Sequence, residues 1–106
     1  MGKENTGIDR ESGVATKERQ KVEEPPLFKV LLHNDDYTTM DFVVMVLKAV
    51  FNKDAPAATE IMLNVHKKGM GVCGIYTHEI AETKVYIVNQ MAIHNNFPLK
   101  CSMEEL

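Results

Sequence analysis

The run "LFKVLLH", Leu27 to His33, constrains the fold more than any other stretch, because Lys29 is the one charge inside an otherwise apolar segment. It is short for a helix and too apolar for a strand with one wet face, so it reads as a strand buried largely on both faces. Upstream, Pro25 and Pro26 favour an extended chain and cannot continue a helix, which starts the folded domain near Leu27. Residues Met1 to Glu24 hold only scattered aliphatics, Ile8, Val14 and Val22, and no aromatic. Such a segment cannot bury enough apolar area to offset its ordering entropy. The sequence therefore predicts a disordered extension over 1–26 and a single small domain over 27–106.

Periodicity supplies the remaining elements. Thr38 and Asp41 stand three apart ahead of an apolar run, a capping-box arrangement with Asp in place of the usual Glu. Met40, Val43, Val44, Leu47, Val50 and Phe51 follow at helical spacing as one stripe. "NKDAP" interrupts, and a second helix carries Ala57, Ala58, Ile61, Met62 and Val65 before ending at "KKG". "MGVCGIYT", Met70 to Thr77, alternates as a strand, with a shift that Gly74 can absorb as a bulge. A third helix is predicted from about His78 to His94, with Ala81, Val85, Val88 and Ala92 on one face and Ile80, Ile87 and Met91 flanking it. "LKCSM" is a last strand, with Leu99, Cys101 and Met103 pointing one way. The order β-α-α-β-α-β predicts an α/β (α+β) open-faced sandwich, a three-stranded sheet with three helices packed on one face.

Several function classes are disfavoured at once. A formal charge of -3 offers no basic field for a phosphate backbone, so nucleic acid is not an expected partner. No apolar stretch approaches the length that spans a bilayer, and no signal pattern opens the chain, so the expected compartment is the cytoplasm and no membrane partner is expected. Cys73 and Cys101 form no CxxC pair and read as buried free thiols. His33, His66, His78 and His94 show no HxxxH or HExxH spacing, so no metal is expected. Nucleophile elbows, phosphate loops and cysteine-nucleophile signatures are missing as well; the expectation is a binding protein without enzyme activity or cofactor.

The residues that remain are polar and clustered. Asn34, Asp35 and Asp36 follow the first strand, where Asx side chains commonly bond nearby backbone to make a turn. The turn is the first reading of these residues taken alone; a rim of hydrogen-bond acceptors at a pocket mouth is the second. His66 lies at the edge of an apolar helical face, four residues after Met62, and reads either as a helix-end histidine favoured by the dipole or as a functional one. Met40 and Met62 read first as core filler, although Met40 stands beside the polar cluster.

Taken together, "FKVLLHNDDYTTMDFVVMVL", "ATEIMLNVHKKGMGVCGIYTHEIAETKV" and "NNFPLKCSMEE" resemble the ClpS family of bacterial adaptors, over about residues 25 to 105. That resemblance implies a monomeric adaptor that binds proteins whose first residue is Leu, Phe, Tyr or Trp and delivers them to the ClpA unfoldase for degradation by ClpAP. It implies that Asn34, Asp35 and His66 meet the α-ammonium and that Asp36 contacts the peptide backbone. Thr38, Met40, Val43, Met62, Val65 and Leu99 would line the side-chain pocket, with Met40 as a gate against β-branched residues. Glu79 and Lys84 would meet the N-terminal domain of ClpA, and the N-terminal extension would engage the unfoldase during hand-off. Thr39 departs from the proline that many relatives carry there, and His33 from an aliphatic position. The rival reading is a non-adaptor protein-interaction module on the same fold, since fold does not fix function.

Overall fold

Leu27–His33 forms β1, the middle strand of a three-stranded antiparallel sheet in a computed structural model that describes residues 24–106. The predicted disordered extension falls almost wholly outside the described residues. β1 pairs on one side with β2 (Met70–Thr77) and on the other with β3 (Lys100–Glu105). Its central position explains the apolar run: Val30 and Leu32 are wholly buried against the helices, and Leu31, on the opposite face, is only 5% exposed. Lys29 shares that outer face and meets Glu104 at 3.4 Å.

Three helices complete the order β-α-α-β-α-β: α1 (Met40–Phe51), α2 (Ala55–Lys68) and α3 (His78–His94). Each boundary has a local chemical cause. The Thr39 hydroxyl caps α1 by accepting from the Phe42 amide at 3.1 Å, and α1 stops at Asn52, which adopts the left-handed conformation at φ 56°. Asp54 caps α2 by accepting from the Ala57 amide at 3.0 Å, and Gly69 ends it at φ 90°, where a side chain would be strained. Between α3 and β3, the Asn89 side chain donates to the Cys101 carbonyl at 3.2 Å and accepts from the Cys101 amide at 3.0 Å. One amide side chain thus bonds both backbone groups of an edge-strand residue.

Two sequence expectations need correction. The cap of α1 is Thr39, not Thr38, because Asp35 engages Thr38 in the preceding loop. The buried face of α1 is Phe42, Val43, Val46, Leu47 and Phe51, so the helix is rotated from the expected stripe and Met40 stands 46% exposed. The cause is an excess of apolar residues, more than one face can hold, so spacing alone leaves the rotation open. The alternation of Met70, Val72 and Ile75 that marks β2 lies on the outer face, opposite His33, Leu31 and Lys29, while Gly71 and Cys73 face the core. The expected bulge is present: Val30 pairs with Gly74 and Leu31 with Val72, leaving Cys73 as the extra residue. Cys73 and Cys101 are free and buried, as expected; burial pushes the Cys101 thiol up to about 12 and raises Cys73 too.

Gly71 controls how closely α2 approaches the sheet. A Cβ there would sit 2.8 Å from Val65 Cγ2 and 3.3 Å from the Ile61 carbonyl oxygen. Gly71→Ala is expected to push α2 outward and cost about 1–3 kcal/mol, as overpacking does. Urea denaturation reads this directly, and an unchanged midpoint would contradict the close contact.

Candidate functional site

Where β1 leaves the sheet, the Asn34 amide donates to the Gly69 carbonyl at 2.9 Å, joining the strand's end to the end of α2. The loop that follows is folded around one side chain. Asp35 Oδ1 accepts from the Tyr37 amide at 2.8 Å and the Thr38 amide at 2.7 Å, and Oδ2 accepts from the Thr38 hydroxyl at 2.7 Å. Burial acts to raise the Asp35 pKa, but these donors favour the ionised form and hold it below the ordinary carboxylate value. With Thr38 so engaged, Thr39 becomes the cap and α1 starts at Met40. The Thr39 φ of -73° lies within proline's range, so here a hydroxyl hydrogen bond supplies a fixation that a ring would otherwise give.

The loop, α1 and α2 enclose a cleft of about 210 Å³ lined by Asn34, Asp35, Asp36, Thr38, Met40, Val43, Met62, Val65 and His66. Its apolar lining comes from Met40 and Val43 of α1 and from Met62 and Val65 of α2. Its rim carries an amide, two carboxylates and an imidazole, and no lysine or arginine lines it. Among the described residues, no hydrogen bond engages the side chains of Asn34, Asp36 or His66. Such a cleft suits a ligand that places a cation beside an apolar group.

Nine expected site residues therefore converge here. Leu99 does not: it is 5% exposed, within the core cluster. Glu79 and Lys84 lie on α3, and Lys84 is turned toward the end of α1, where it donates to the Val50 carbonyl at 2.7 Å. His33 bonds Ser102 at 2.6 Å on the outer sheet face and takes no part in the cleft. Sequence reasoning overlooked the bracing bond from Thr38 to Asp35, although an Asp three residues before a Thr at a strand's end is a recognisable signal. Among the described residues, no group of three His, Cys, Asp or Glu side chains could hold a metal ion, and no helix is long and apolar enough to cross a membrane.

A family model, ATP-dependent Clp protease adaptor protein ClpS, matches residues 23–102. The chain is 65% identical over 91 residues to the ATP-dependent Clp protease adapter protein ClpS of Desulfatibacillum aliphaticivorans, covering 86% of this chain and 88% of that one. It is 49% identical over 102 residues to the protein of the same name from Maricaulis maris, covering 96% and 94%. Among solved structures, Agrobacterium tumefaciens ClpS2 bound to L-phenylalaninamide superposes with a TM-score of 0.76 at 37% identity, over 78% of this chain and all of that one.

The Asp35 bracket has a signed pH consequence. Its folded-state pKa is depressed, so the stability it contributes is complete above the unfolded value and is lost as pH falls through the folded one. Asp35→Ala should cost about 1–2 kcal/mol near neutrality, as the loss of a capping carboxylate does. The gap between variant and wild type should close on acidification. Denaturation across a pH series checks this; a gap that widens toward acid would contradict the bracket.

Proposed function

Because the chain belongs to the ClpS family of ATP-dependent Clp protease adaptors, we propose that it holds proteins by a first residue that is Leu, Phe, Tyr or Trp and delivers them to the ClpA unfoldase for degradation by ClpAP. The observation that carries this reading is the junction of an acceptor rim with an apolar floor in one cleft. A free chain terminus presents the matching pair, an α-ammonium one carbon away from a side chain. At about 210 Å³ the cleft is smaller than the usual small-molecule site of about 300–1,000 Å³, so it suits one side chain rather than a cofactor. The Agrobacterium relative is described as bound to L-phenylalaninamide, which carries a free α-amine beside a phenyl group.

In this reading Asn34 and His66 accept from the ammonium. Asp35, with three of its roughly four acceptor positions already engaged, contributes charge and one remaining lone pair. Asp36 at the outer rim faces the backbone of the next residue. Thr38, Met40, Val43, Met62 and Val65 take the side chain. Docking on ClpA falls to the α3 region of Glu79 and Lys84.

A panel of peptides differing only at the first residue, followed by fluorescence anisotropy, tests the reading. Leu, Phe, Tyr and Trp should bind, while Val and Ile, which carry bulk at Cβ beside Met40, should not. Met40→Ala should admit Val and Ile, and continued exclusion would move the gate elsewhere. His66→Ala or Asn34→Ala should each cost about 1–3 kcal/mol. A panel bound without regard to its first residue would favour the rival interaction module.

A further inference from the structure

Two of the apolar side chains that line the cleft, Met40 and Met62, are methionines. A thioether is flexible and polarisable, so it moulds to apolar groups of different shapes, and it is also oxidised to a sulfoxide by peroxides. Exposure separates the two residues. Met40, the first residue of α1, is 46% exposed, whereas Met62 is half-buried and packs against the core. Met91 and Met103 are packed on the core in the same way. Among the described residues only Met45, at 40%, and Met70, at 49%, are as open as Met40, and neither lines the cleft. A peroxide therefore meets readily accessible thioethers at Met40, Met45 and Met70, of which Met40 alone belongs to the site.

The sulfur lone pair attacks one peroxide oxygen, the O–O bond breaks, an S–O bond forms and water leaves; sulfur gives up two electrons and the peroxide is reduced. The product carries a strong acceptor, and the cleft has little to donate to it. The Thr38 amide and hydroxyl both donate to Asp35 at 2.7 Å. Ionised Asp35 and Asp36 only accept. No lysine or arginine lines the cleft, and Asn34 and His66 serve the ammonium on the reading above. Water satisfies the sulfoxide oxygen while the cleft is open. An apolar side chain entering beside it strips that water and leaves the oxygen unpaired.

Resting on the proposed recognition of a first residue, we propose that Met40 is an oxidative modification site: peroxides convert it to the sulfoxide, and the cleft then holds large apolar first residues more weakly. A methionine sulfoxide reductase reverses the step, two thiols closing to a disulfide as the oxygen leaves in water. The exposure that lets Met40 stand at the cleft as a gate also makes it the oxidisable part of the lining.

The full-length protein treated with hydrogen peroxide tests this, with sulfoxide located by tandem mass spectrometry and binding of a Phe-first peptide followed by fluorescence anisotropy. Affinity should fall about tenfold, as burial of an unpaired polar group does, in proportion to sulfoxide at Met40, and reductase treatment should restore it. The double variant Met45→Leu/Met70→Leu should lose as much as wild type. Met40→Leu, compared with its own untreated affinity, should lose little. Saturating peptide added before the peroxide should slow oxidation of Met40 and leave that of Met45 and Met70 unaltered. Unchanged affinity at full conversion of Met40, an equal loss in Met40→Leu, or oxidation of Met40 indifferent to the peptide would each overturn the site. So would a loss that follows sulfoxide at Met62, Met91 or Met103 together with a fall in Tm, which would place the damage in the core. Should Met40→Leu not fold, protection by the peptide in wild type decides the matter. Failure of untreated wild type to bind the peptide would instead overturn the cleft reading before any peroxide is added, and this role with it.

Discussion

Asp35 determines where α1 begins, and the site depends on that position. Its two oxygens take both amides and the hydroxyl offered by Tyr37 and Thr38, which leaves Thr39 as the cap and Met40 as the first helical residue. A start one residue earlier would draw Thr38 out of the Asp35 bracket and into the helix, and with it part of the cleft lining. The bond from the Asn34 amide to the Gly69 carbonyl ties this loop to the end of α2, the helix that carries His66.

The division of the cleft into rim and floor has an energetic logic. Burying one large apolar side chain contributes about 1.5–3 kcal/mol. That falls short of the roughly 4 kcal/mol that corresponds to even a millimolar Kd. On the proposed reading, charge-assisted hydrogen bonds to the ammonium, about 1.5–3 kcal/mol each, raise the affinity to a useful level. The apolar half alone does not suffice, which on this reading makes recognition of a large apolar residue conditional on a free terminus.

Much of this was legible in the chain. The strand Leu27–His33 was readable because a dense apolar run with one charge has few alternatives, and the α3 range His78–His94 because its small buried residues recur at helical spacing. The rotation of α1 was not, since "FVVMV" offers apolar side chains all round and only tertiary packing, such as that of Phe42 on Phe97, selects the buried face. Asn34, Asp36 and His66 were identifiable as residue types, but their convergence rests on one long-range backbone bond. The bond from Lys84 to the end of α1 and the burial of Leu99 in the core are tertiary outcomes to which local pattern is blind.

On the proposed reading, one cleft reads an ammonium and an apolar side chain at once. Calorimetry with a matched pair of Phe-first peptides, one with a free amino terminus and one N-acetylated, tests it most directly. Acetylation removes the charge and leaves the phenyl group untouched, so the account predicts saturable binding of the free peptide and none of the acetylated one. Equal affinity for the two would contradict it.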